Sequence, residues 1–124
     1  MVTKLRGFTL IELLLVLILV SLLAGLATPV VTSSIVRAKE SALSENLQVI
    51  RVAIDEYYAD KGIYPESEID LVDERYLRFI PNDPMTNTND WDWIENDDSD
   101  SYGIIDVKSS SQKISNSGLT YNEW

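Results

Sequence analysis

Gly7-Phe8 and Glu12 are the residues of this chain whose types and spacing could do chemistry. A cut after Gly7 would turn the Phe8 nitrogen into a free cation. Glu12, one helical turn further on, is an acid placed to neutralise such a cation at a neighbouring helix end. The carboxylate stands in an otherwise apolar run: from Phe8 to Ala27 the polar side chains are Thr9, Glu12 and Ser21, and Glu12 alone is charged. A carboxylate at mid-bilayer costs about 2.5–3.5 kcal/mol on insertion scales and less near the interface. Glu12 therefore needs a route to the headgroups or a partner, and the partner reading makes it an ion pair between helices that sets their axial stagger.

The element that must position these residues is a helix long enough to cross lipid. About 20 apolar residues span a hydrocarbon core of roughly 30 Å, and residues 8–29 supply them. The basic residues Lys4 and Arg6 ahead of the run keep the amino end cytoplasmic, leaving the chain beyond about residue 30 on the far side. A basic start, an apolar run and Gly25-Leu26-Ala27 before Thr28 also describe a secretory signal peptide, which would release a soluble protein. Against that, the run exceeds the usual h-region of about 7–15 residues, carries Glu12, and passes unbroken into an amphipathic pattern. Gly25 and Pro29 weaken the helix near the membrane exit, Pro29 by removing a backbone hydrogen bond at a cost of about 3 kcal/mol. That segment is either a mild kink, its freed carbonyl satisfied by water or Thr28, or a stretch that unwinds when helices pack.

Beyond the membrane run, Val36, Leu43, Leu47, Ile50, Ile54 and Tyr57 recur at helical spacing, with charged residues on the other faces. The same helix therefore continues to about Asp60, and Lys61-Gly62 with Pro65 supplies its stop. Residues 30–62 form this amphipathic half, and residues 63–124 a small outer domain. Within the latter, a short helix is expected near 68–77, with Leu71, Tyr76, Leu77, Phe79 and Ile80 as core. Pro81-Asn82-Asp83-Pro84 demands a turn and opens a polar loop. Trp91-Asp92-Trp93-Ile94 and Gly103-Ile104-Ile105-Asp106-Val107 read as strands of a small antiparallel sheet packed on the helix. The fold class is α+β. The serine-rich stretch Ser109 to Gly118 is either a flexible extension or a loop pinned by Tyr121 and Trp124.

Composition narrows the function classes. The 124 residues include no cysteine and no histidine, which removes disulfides, thiol catalysis, the commonest general base and the usual zinc ligand. An enzyme is not expected. Residues 64–124 carry fourteen acids against Arg75, Arg78, Lys108 and Lys113, so the outer domain holds the whole formal charge of −10. Such a surface repels nucleic acid and anionic lipid and favours cations or basic partners.

The opening Lys4-Leu5-Arg6-Gly7-Phe8-Thr9-Leu10-Ile11-Glu12 resembles the class III signal of the type IV pilin and pseudopilin family. The resemblance implies a cleaved leader, residues 1–7, with Lys4 and Arg6 as its basic residues. It further implies cutting between Gly7 and Phe8 by a prepilin peptidase, N-methylation of Phe8, and a Glu12 contact with the Phe8 amine of the next subunit. The outer half resembles the major pseudopilin of type II secretion in four places. These are Asp60-Lys61-Gly62-Ile63-Tyr64-Pro65, Ile80-Pro81-Asn82-Asp83-Pro84, Gly103-Ile104-Ile105-Asp106-Val107-Lys108-Ser109, and the aromatic C-terminus. The expected protein is an inner-membrane subunit, N-in and C-out, whose outer domain is periplasmic until it stacks into a helical homopolymer with minor pseudopilins and an assembly platform. A surface pilin, an anchored binding protein and a secreted binding module are the alternatives. No cofactor is expected. Calcium is the ion the resemblance raises, but where the family's C-terminal loop carries aspartates this chain has Ser109-Ser110-Ser111-Gln112-Lys113. The acidic run Asp97-Asp98-Ser99-Asp100 lacks EF-hand spacing.

Overall fold

The computed structural model describes residues 4–124, so Met1 to Thr3 of the expected leader lie outside the described residues. The elements run α1 (Leu10–Lys61), α2 (Glu68–Asp73), β1 (Asp92–Asn96), β2 (Gly103–Lys108) and a 3-10 turn at Tyr121–Glu123. The chain divides into two compact units, Met1–Arg37 and Ala38–Trp124. This is the α+β pilin-like architecture expected of the sequence.

In the first unit, α1 is long and apolar enough to cross a membrane, and none of its membrane-length window is buried. Pro29 lies inside the helix, which stays helical on both sides of it. Its missing N–H frees the Gly25 carbonyl, but the Thr28 hydroxyl donates instead to Ala24 O at 2.8 Å. Thr32, Ser33 and Ser34 likewise turn their hydroxyls back on the preceding turn. A hydroxyl spent on its own helix needs no other partner in lipid. Val36, expected on the apolar stripe, is exposed.

In the second unit, Leu43, Leu47, Ile50, Ala53, Ile54 and Tyr57 form the buried face of α1 and pack with Leu71, Leu77, Trp91, Ile104, Val107 and Tyr121. The helix ends where Gly62 takes φ +71, a left-handed conformation that glycine adopts without steric cost. Lys61 of the last turn pairs with Glu74 at 3.2 Å.

Helix α2 is four residues shorter than expected because Arg75 enters the left-handed region, φ +65, with no glycine to announce it. Tyr76 N–H then bonds Leu71 O and Arg75 N–H bonds Val72 O, the paired contacts of a Schellman stop. The chain after this stop leaves Phe79 two-thirds exposed rather than in the core, while Tyr76 and Ile80 are partly buried against it.

Strands β1 and β2 pair antiparallel as a two-stranded sheet, with a register shift between Ile94 and Glu95. Asp106 faces Ile94 and Ile104 faces Glu95, so Ile105 is the extra residue of a bulge. The bulge breaks the two-residue alternation and brings both Ile104 and Val107 into the core. Gly103, φ +139, is where the strand crosses the segment after α1. A Cβ there would sit 2.6 Å from Tyr64 Cβ and 2.8 Å from Pro65 O. Ile104 N–H donates to that same Pro65 carbonyl at 2.8 Å.

The serine-rich stretch is pinned. Ser109, Ser111 and Ser115 are buried, an isolated bridge joins Ile114 to Thr120, and Tyr121 N–H reaches Lys113 O at 3.0 Å. The Tyr121 and Trp124 rings meet edge to face with centroids 5.4 Å apart.

Candidate assembly site at the head of the membrane helix

Of the residues expected to carry function, Glu12 lies in the first turn of α1, Lys4, Arg6, Gly7 and Phe8 come just before it, and Gly25 and Pro29 lie further along the helix. Residues 4–9 precede the helix, so the Gly7-Phe8 peptide lies in non-helical chain. Gly7 is exposed, a Cβ added to it would meet nothing within 4 Å, and Phe8 is 83 % exposed. A peptide bond in this setting is open to a protease that must bind the backbone in extended form. Lys4 and Arg6 are exposed and make no ion pair among the described residues.

Thr9 is the N-cap of α1, a role that the sequence reading missed. Glu12 N–H donates to Thr9 Oγ1 at 3.2 Å, and Thr9 N–H donates to Glu12 Oε2 at 3.4 Å. This reciprocal pair is a capping box, for which the signal was in plain view as Thr9-Leu10-Ile11-Glu12. It answers part of the question that Glu12 raises. The first N–H groups of a helix have no intrahelical acceptor, and at the edge of a membrane an unmet N–H is costly. Glu12 meets one with Oε2, and its charge lies at the positive end of the helix dipole. Oε1 has no partner among the described residues. One carboxylate oxygen thus finishes the helix while the other remains open to a cation from outside the chain.

Further along, Gly25 and Pro29 stand one turn apart in α1, and the space beside Gly25 is open. The acidic residues Asp97, Asp98 and Asp100 are all exposed, and among the described residues no group of three or more acids is placed to hold a metal ion.

Comparison with known proteins assigns the chain. Residues 3–28 match the prokaryotic N-terminal methylation motif. The chain is 30 % identical over 97 residues to type II secretion system core protein G of Pseudomonas aeruginosa, covering 65 % of this chain and 68 % of that one. It belongs to the pilin and pseudopilin family. The Klebsiella michiganensis core protein G is 26 % identical over 86 % of this chain and 83 % of its own length. Fimbrial protein EcpC of Eikenella corrodens is 37 % identical over 60 residues, 48 % of this chain; the match spans 39 % of EcpC. No solved structure matches the chain. Pilins and pseudopilins are structural subunits, and the one helix among the described residues that is long and apolar enough to cross a membrane, with its methylation motif, fits a membrane-anchored one.

Proposed function

We propose that the chain is the major subunit of a type II secretion pseudopilus. The observation that carries this reading is the extent of the similarity. The core G proteins match 65 % and 86 % of the chain over 68 % and 83 % of their own length, whereas EcpC and the type IV major pilin of Myxococcus xanthus match 48 % and 60 % of the chain over 39 % and 34 % of theirs. Similarity over most of both chains involves the outer unit as well as the membrane helix.

The sequence of events follows from the site. The chain inserts with Lys4 and Arg6 in the cytoplasm and its acidic outer unit in the periplasm. A prepilin peptidase cuts the exposed Gly7-Phe8 bond and methylates the new Phe8 amine, leaving it charged. Each subunit then leaves the bilayer through an assembly platform and joins a helical homopolymer, which minor pseudopilins initiate. Its apolar helix exchanges lipid for neighbouring helices, so the gain comes from packing and from polar pairing. Glu12 Oε1 accepts the Phe8 ammonium of the adjacent subunit. A charge-assisted pair out of water is strong only when both partners are present, so an incoming helix at the wrong height leaves both ions unpaired. That penalty sets the stagger. Gly25 and Pro29 let the helix unwind locally as it packs.

The test is a Glu12→Gln subunit expressed in cells that assemble the filament. Insertion and cleavage are expected to proceed as in wild type while incorporation falls at least tenfold; filaments at normal yield would remove the pairing role. Deleting the chain separates the two filament readings: a pseudopilin is needed for protein export, whereas a surface pilin is recovered by shearing and is dispensable for export.

A further inference from the structure

The C-terminal loop, residues 109–124, is the part of the family fold in which the resemblance implies a calcium ion. The donors present here do not fit one. Calcium takes six to eight oxygens, carboxylates prominent among them, and Glu123 is the single side-chain carboxylate in the loop. Its Oε2 accepts the Thr120 N–H at 3.0 Å. The hydroxyls are committed elsewhere: Ser109 to Asp83, Ser110 to Asp90 O, Ser115 with Ser117, and Thr120 to Asn122. Asp83 packs against the loop, but its two oxygens accept from Met85 N–H and from Ser109.

Two charged side chains of α1 perform the closure instead. Glu40 Oε1 accepts the Tyr121 hydroxyl at 2.8 Å and the Asn116 N–H at 3.2 Å. Arg51 donates through Nη2 to Val107 O at 3.0 Å and to Trp124 O at 2.9 Å, while its Nε bonds Asp106 Oδ1 at 2.8 Å. Eleven residues separate Glu40 from Arg51, three helical turns or about 16 Å. The loop is therefore tied to one helix at two distant points, through the Asn116 N–H and the buried Tyr121 at one and through the Trp124 main-chain oxygen at the other, where Arg51 also holds Val107 of β2. Loops without regular pairing need such anchors, because their backbone groups have few partners of their own.

We propose that Glu40 and Arg51 form a clasp that replaces the calcium ion of the family's C-terminal loop, so that this subunit keeps its outer fold irrespective of calcium. Calcium supply then cannot gate the stability of this subunit. The clasp depends on membership of the family but not on whether the filament is a pseudopilus or a pilus.

The experiment is thermal unfolding of the full chain in detergent micelles, followed by near-ultraviolet circular dichroism, in EGTA, in millimolar calcium and in millimolar magnesium. The wild-type Tm is expected to agree within about 1 °C across the three, and Glu40→Ala and Arg51→Ala each to lower it by about 4–8 °C with no recovery in calcium. A calcium-specific rise of more than about 5 °C, or variants that melt like wild type, would overturn the proposal. Should Glu40→Ala fail to fold, Glu40→Met keeps the length of the side chain and removes the oxygen that Tyr121 and Asn116 share. Hydrogen exchange in that variant should accelerate at the Asn116 amide severalfold and leave the core amides of α1 unchanged; an unchanged Asn116 rate would count against the clasp.

Discussion

Ser109 donates its hydroxyl to Asp83 Oδ2 across 26 positions of sequence, and both residues are fully buried. Asp83 Oδ1 accepts Met85 N–H at 2.8 Å, its carbonyl accepts Asn87 N–H, and its own N–H reaches Thr88 O. A proline-bracketed turn and the end of β2 are thereby locked to one carboxylate. Truncating it would strand a buried hydroxyl and a part-buried N–H together.

Asp83→Ala is accordingly expected to destabilise the outer unit by about 3 kcal/mol, since losing an acceptor from a buried donor costs about 1–3 kcal/mol each. Asp83→Asn keeps one acceptor oxygen and should cost less. Urea unfolding of the full chain in micelles checks this through the midpoint at constant slope. A wild-type midpoint for Asp83→Ala would contradict the role given to this carboxylate.

Gly103→Ala should be among the most damaging single-methyl additions in the chain. The new Cβ would lie 2.6 Å from Tyr64 Cβ and the backbone is at φ +139. Strain of this kind costs about 1–3 kcal/mol before any clash, so a loss of about 3 kcal/mol or more is expected in the same unfolding assay. Gly118→Ala, with open space around its Cβ but φ +88, carries the backbone strain alone and should lose less.

Arg51 and Asp106 test how much of the clasp is ionic. Their side chains are 31 % and 40 % exposed, so solvent screens the pair and a double-mutant cycle should give a coupling of no more than about 1 kcal/mol. Most of the effect of Arg51→Ala should come from the Val107 and Trp124 carbonyls it leaves. A coupling of several kcal/mol would reverse that apportionment.

Alkaline pH should loosen the outer unit. The Asp60 carboxylate accepts the Tyr76 hydroxyl at 2.7 Å and, chiefly for that reason, holds its pKa up at about 12. Burial, and then the hydrogen bond to Glu40, raise Tyr121. The folded state favours the neutral phenols, so their contribution is complete below the unfolded value near 10 and is lost as pH rises through the folded values, toward about 12 for Tyr76. Absorbance titration at about 295 nm should show a late tyrosine step that Asp60→Asn shifts toward 10; a step unmoved by Asp60→Asn would refute the cause assigned.

Much of the fold was legible because long-range packing left a periodic trace. Leu43, Leu47, Ile50, Ile54 and Tyr57 announced the buried face of α1, and Lys61-Gly62 its end. The early stop of α2 left no such trace: Arg75 takes the left-handed conformation in a turn closed locally on the Leu71 and Val72 carbonyls, without the glycine that would have announced it. Phe79 was expected inside on hydrophobicity alone, and the turn sends it outward. Asp83 was read as a turn residue, since nothing local reveals that Ser109 will cover it. At the head of α1, Glu12 and the Gly7-Phe8 junction stood out by their placement in an apolar run, whereas Thr9 was passed over as a lone polar residue although its spacing to Glu12 spelled a capping box. Glu40 was legible only as a charge on the outer face, because its partner Tyr121 lies 81 residues away.

The most direct test of the account is the intact mass and amino-terminal residue of the chain extracted from membranes. The account predicts a start at Phe8 and a mass about 14 Da above that of residues 8–124, the increment of one methyl group. A mature chain that starts at Met1 or Thr28 would contradict it, the first leaving a simple anchor and the second a released domain, and neither would supply the Phe8 amine that Glu12 is proposed to hold.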